Sequence, residues 1–110
     1  MVVVVEEDEN VYDLLSEYLA SCGYSVYGSS NEEVVALVEK LRPQAVILDH
    51  PDLELARRLR EKAQQLPILL VTSRVEMRVD REARLAGCDG VVRKPFRLDQ
   101  LAEELHRVMA

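Results

Sequence analysis

Three stretches of this chain, Val2 to Val5, Ala45 to Leu48 and Ile68 to Val71, are apolar without interruption, and a fourth follows Gly90 as Val91 and Val92. A strand with one face in water alternates apolar and polar residues, whereas a strand covered on both faces does not. Runs of this kind demand a sheet with helices on both sides. The segments between them are patterned to supply those helices. Val11, Leu14, Leu15, Tyr18, Leu19 and Cys22 recur at helical spacing, so a first helix buries one stripe and stops at Gly23. A short strand, Ser25 to Gly28, comes next. Ser30 with Glu33 makes a capping box ahead of Val34, Val35, Val38 and Leu41, and Pro43 ends that second helix. Asp52 is placed to cap a third helix that turns Leu55, Leu59 and Ala63 or Leu66 inward before Pro67. A heavily charged helix from about Val75 to Ala86 closes at Gly87, and a last one from about Leu98 buries Leu98, Leu101, Leu105 and Val108.

Five strand and helix units in strict alternation imply right-handed crossovers and a parallel sheet. The expected fold is α/β, a single doubly wound (βα)5 domain over residues 1–110 with strand order 2-1-3-4-5, as in flavodoxin-like folds. A chain of 110 residues is long enough for one ordinary core and too short for two. Twenty acids against fourteen bases disfavour nucleic acid or an anionic membrane as a partner of this domain. Apolar runs of about five residues fall far short of the roughly 20 that span a bilayer, and no signal-peptide pattern precedes the first strand, so the expected location is cytoplasmic. Cys22 and Cys88 match no metal or redox spacing and are expected to be buried or half-buried thiols. His50 and His106 are expected at the surface.

In open parallel sheets, ligands bind at the carboxyl ends of the strands. Polar residues recur there: Glu6, Glu7 and Asp8 after the first strand, Asp49 after the third, Thr72 after the fourth and Lys94 after the fifth. With strands one and three adjacent, Glu6, Glu7 and Asp49 are expected to meet. Crowded carboxylates repel unless a cation intervenes, and a hydroxyl with an ammonium group complements a phosphoryl group. The cluster is therefore suited to a hard cation and phosphoryl chemistry. Each residue taken alone has an ordinary reading, as a helix cap, a solvated charge or a strand end.

The run Val-Val-Val-Val-Glu6-Glu7-Asp8-Glu9, the segment Arg42 to Asp49, the segment Pro67 to Ser73, and Ala86-Gly87-Cys88-Asp89-Gly90 leading to Lys94-Pro95-Phe96 resemble the receiver domain of two-component response regulators. The resemblance covers essentially the whole chain. It implies that Asp49 accepts a phosphoryl group from a histidine kinase or phosphotransfer protein, and that Glu6, Glu7 and Asp49 hold Mg²⁺. It also implies that Thr72 bonds a phosphoryl oxygen, that Lys94 pairs with its charge, and that the peptide before Pro95 is cis. A downstream protein or output domain would then read the face formed by helix four, strand five and helix five.

Three positions depart from the family pattern. Glu7 stands where receivers usually carry aspartate, and its extra methylene adds roughly 1.5 Å of reach where Mg²⁺ wants about 2.0 to 2.1 Å. The metal is then reached through a shifted loop or a water, or Asp8 substitutes. His50-Pro51-Asp52 is about five residues shorter than the usual loop, and Pro51 offers a carbonyl but no N–H. Val91 replaces an aromatic residue whose rotation reports phosphorylation in many receivers. A pseudo-receiver, binding protein partners without phosphorylation, is the alternative. A flavin site would need a Ser/Thr/Gly-rich loop after strand one, and a dehalogenase-like phosphatase an Asp-x-Asp there; neither occurs.

Overall fold

The computed structural model describes residues 1–49, 53–74 and 78–110. Its elements run β1 (Val2–Val5), α1 (Glu9–Ser21), β2 (Val26–Ser29), α2 (Val34–Leu41), β3 (Ala45–Leu48), α3 (Leu53–Lys62), β4 (Ile68–Thr72), α4 (Val79–Leu85), β5 (Gly90–Arg93) and α5 (Leu98–Met109). All five strands are parallel, in the expected order β2-β1-β3-β4-β5. Every residue of β1, β3 and β4 is buried, whereas the edge strands β2 and β5 are partly open.

The sheet has an apolar layer on each face. Val3, Val5, Val46, Leu48, Ile68 and Leu70 meet Val34 and Val38 of α2, Leu55 and Leu59 of α3 and Ala83 of α4. Val2, Val4, Ile47, Leu69, Val71 and Val92 meet Leu15 and Leu19 of α1 and Leu101 and Leu105 of α5. Fully burying a side chain of this size stabilises the fold by about 1.5–3 kcal/mol, so these two layers carry the domain.

Helix boundaries follow local chemistry. The Asp8 carboxylate accepts from Asn10 N (2.9 Å) and Val11 N (3.3 Å) and so starts α1. The Ser30 hydroxyl accepts from Glu33 N at 3.2 Å, one half of the expected box. Arg42 ends α2 in the left-handed region at φ 47°, just before Pro43. Gly87, at φ 103°, closes the turn after α4. The Arg60 side chain lies where a Cβ on Gly87 would sit, 2.9 Å away. Its guanidinium donates to the carbonyls of Gly87 (2.6 Å), Ala63 (3.1 Å) and Gln64 (2.7 Å) and pairs with Asp89 at 2.9 Å. Asp89 also accepts from Ile68 N at 2.8 Å, fastening the end of the sheet opposite the acids.

Some expectations are corrected. Leu14 is 55% exposed, because at about 100° per residue it cannot share the inward direction of its neighbour Leu15. Cys22 is exposed: it is the C-cap of α1, beyond Leu19, the last buried residue of that helix. Strand β2 begins one residue later than expected, and β4 extends to include Thr72. His106 is exposed as expected. The expected roles of His50, Pro51 and Asp52, and the start of α4 at Val75, fall outside the described residues.

Cys88 is buried, and burial together with the Asp89 charge pushes its thiol up to about 11. That is about 100-fold less thiolate than at the ordinary thiol value of 9.0. In the native protein at pH 8 an alkylating reagent should modify Cys22 rapidly and Cys88 only after unfolding. Equal rates by peptide mapping would contradict this burial.

Candidate functional site

Adjacency of β1 and β3, paired Val5 to Leu48, brings the residues after both strands together. Asp49 N donates to Val5 O at 2.9 Å, fixing the turn out of β3. The Asp49 side chain is only 15% exposed. Lys94, at the end of β5, donates its backbone N–H to Thr72 O at 2.8 Å and sets its Nζ 2.6 Å from Asp49 Oδ2. Beyond this ion pair, Asp49 Oδ2 has no aligned hydrogen bond. Burial works against the Lys94 charge, but the Asp49 hydrogen bond and the charges of Asp49, Glu6 and Asp8 outweigh it and raise the Lys94 pKa.

Glu6 leaves β1 toward the same place. Its Oε1 accepts from Asp8 N at 2.9 Å, while Oε2 is buried without a hydrogen-bond partner. Two ionised carboxylates have no donor to offer each other; a proton on Glu6 supplies one. Desolvation, followed by the hydrogen bond to Asp49 and the repulsion from its charge, raises the Glu6 pKa from 4.5 to about 7.

Thr72, the last residue of β4, is 7% exposed, and its Oγ1 accepts from Arg74 N at 3.1 Å. The Lys94–Pro95 peptide is cis. Glu7 is exposed, and Asp8 is committed to capping α1. Among the described residues no three acidic, histidine or cysteine side chains converge as a ready metal cage. The expected meeting of Glu6, Glu7 and Asp49 is therefore only partly formed, with Glu6 and Asp49 together and Glu7 turned outward. Mg²⁺ usually takes one or two carboxylates and keeps several waters, so the buried Glu6 Oε2, which has no hydrogen-bond partner, beside the Asp49 carboxylate, whose Oδ2 has only the Lys94 ion pair, fits it.

The Glu6 shift has a direct consequence for the metal-free domain. A carboxyl whose folded pKa is raised binds more protons folded than unfolded, so its contribution to stability falls as pH rises from about 4.5 to 7. The urea midpoint should drop across that window relative to Glu6→Gln. A wild-type profile parallel to that of Glu6→Gln would contradict the placement of Glu6 against Asp49.

The family model for the response regulator receiver domain matches residues 2–106. The chain belongs to that family. It is 35% identical over 115 aligned positions to the response regulator MprA of Mycolicibacterium vanbaalenii, covering 98% of this chain and 49% of MprA. The chain thus spans about half the length of the curated relatives it matches. The Vibrio cholerae chemotaxis protein CheY4 superposes with a TM-score of 0.87 at 26% identity, covering 97% of this chain and 96% of CheY4. The receiver domain of the Pseudomonas aeruginosa sensor histidine kinase PA1611, with magnesium coordinated in its active-site cleft, gives 0.84 at 26%, covering 98% and 95%. Receiver domains are signalling modules of two-component systems, and response regulators work with histidine kinases and output domains. Among the described residues no helix of this receiver domain is long and apolar enough to cross a membrane.

The ion pairs of the arginines around α4 are not evident from the sequence, in which Arg74 to Arg84 reads as a charged candidate partner surface. Arg93 Nη2 lies 3.1 Å from Asp80 Oδ1, and Arg74 Nη2 lies 3.5 Å from Glu82 Oε2. The available signal was the strand period, which puts Arg93 on the same face of β5 as Val91.

Proposed function

We propose that this receiver domain accepts a phosphoryl group on Asp49 with Mg²⁺ and thereby switches a protein-binding face. The observation that carries the reading is the nearly buried Asp49 carboxylate, flanked by the Lys94 ammonium and by a second carboxylate with an unsatisfied oxygen. Glu6 and Asp49 would hold the metal, with Glu7 joining through a water or a shift of its loop. Bound there, Mg²⁺ supplies charge neutralisation for the phosphoryl oxygens.

An Asp49 oxygen attacks the phosphorus of a phosphohistidine, or of a small phosphodonor, in line with the bond to the leaving group. The new P–O bond forms as the old bond breaks, and an acyl phosphate remains. Lys94 leaves its pairing with the carboxylate for the phosphoryl oxygens. The Thr72 hydroxyl donates to one of them while still accepting from Arg74 N. Transfer of this kind depends on positioning and charge stabilisation more than on covalent help. The donor partner is a histidine kinase or phosphotransfer protein, and the output partner meets the face of α4, β5 and α5.

Incubation with a small phosphodonor, with and without Mg²⁺, tests the reading by intact mass. One added phosphoryl group that requires Mg²⁺ is expected. No addition under any condition would leave the phosphorylation-independent binding module as the function.

A further inference from the structure

Helix α4 has little apolar anchorage. It is seven residues long and buries only Val79 and Ala83. Two ion pairs hold it from outside, and each begins beside a residue of the proposed site. Arg93, next to Lys94, reaches Asp80 in the first turn of α4. Arg74, whose N–H donates to the Thr72 hydroxyl, reaches Glu82, two residues further on in the same first turn, and Glu82 also receives Arg78 at 3.6 Å. Thr72 and Arg93 are themselves paired across β4 and β5. One cationic arm therefore leaves the sheet level with Thr72, the other leaves the loop two residues beyond Thr72, and the two reach successive acids in the first turn of one short helix.

We propose that these arms, Arg93 to Asp80 and Arg74 to Glu82, set the position of α4 and transmit the state of the site to it. The transmission half rests on the phosphoacceptor reading; the tether itself does not. Lys94 and Thr72 are the groups that must turn toward a phosphoryl oxygen, and both share backbone with an arm. Movement of either shifts the origin of an ion pair. The side chains of both pairs are between 37% and 50% exposed, so each contact is weak, screened by salt and easily reset. A strong buried contact would lock α4 instead.

The test uses the whole domain and amide exchange of α4 followed by NMR. In the unmodified protein, Arg93→Gln and Arg74→Gln should each speed α4 exchange about two- to fivefold. The double variant should show more, and the Asp80→Arg, Arg93→Asp charge swap should recover part of the Arg93→Gln loss. Raising salt from low to about 0.5 M should speed exchange in the wild type and much less in the double variant. A double variant that exchanges like the wild type, or keeps the full salt response, overturns the tether. Beryllium fluoride with Mg²⁺ then stands in for the phosphoryl group, with its binding read by fluorine NMR. Bound fluoride should alter α4 exchange in the wild type and less in the double variant; an equal response in both overturns the transmission. Absence of any bound signal sinks the phosphoacceptor reading, while the tether is decided by the first measurements.

Discussion

Replacing Lys94 by methionine is expected to slow phosphoryl transfer to Asp49 by about 10²- to 10³-fold, the usual cost of removing one preorganised donor from developing charge. Methionine keeps the bulk of the stem and deletes only the ammonium that lies 2.6 Å from Asp49 Oδ2. The same change leaves Asp49 and Glu6 with one cation fewer between them. The folded state should therefore lose about 1–2 kcal/mol at pH 7.5, more than an exposed pair is worth and less than a fully buried one, because Lys94 is 36% exposed. Mg²⁺ should restore most of that loss, since it neutralises the same carboxylates. Initial rates by intact mass and urea midpoints with and without Mg²⁺ separate the two effects. A Lys94→Met rate within threefold of the wild type would remove Lys94 from the chemistry.

Leu69→Ala should be the most damaging substitution in the core. Leu69 lies in β4, between Ile47 on β3 and Gly90 on β5, and is fully buried in the layer under α1 and α5. Neighbours on a hydrogen-bonded strand have little freedom to close the space. The expected loss is about 3–5 kcal/mol, against a total stability of about 5–15 kcal/mol for an ordinary domain. Leu14→Ala removes the same atoms from a side chain that is 55% exposed and should cost about 0.5 kcal/mol or less. Urea unfolding with unchanged m-values checks both. Similar losses at the two positions would contradict the assignment of inward and outward faces.

These contrasts mark what the amino-acid pattern could and could not carry. Strand order and helix number were legible because buried parallel strands leave unbroken apolar runs, and Val2 to Val5 and Ile68 to Val71 have no other comfortable place. That Asp49 and Lys94 come close was legible for a topological reason: the carboxyl ends of parallel strands lie along one edge of the sheet wherever the chain goes next. The orientation of each acid was not. Glu6, Glu7 and Asp8 are consecutive, so their directions depend on the turn out of β1. In the folded domain Glu6 turns back to accept from Asp8 N, Glu7 is exposed and Asp8 caps α1. Leu14 and Cys22 misled because a periodic stripe marks a range of directions wider than the strip that the sheet covers. The arms to α4 were hidden for a related reason. A charged segment reads as a solvated face until a strand-end arginine such as Arg93 is seen to reach it.

In the proposed function one oxygen of Asp49 takes the phosphoryl group, and locating that group tests this most directly. After incubation with a small phosphodonor and Mg²⁺, borohydride reduction of the acyl phosphate and peptide sequencing should place the modification at residue 49 alone, and Asp49→Asn should acquire none. Modification at Glu6 or Asp8, or an unchanged yield in Asp49→Asn, would contradict it.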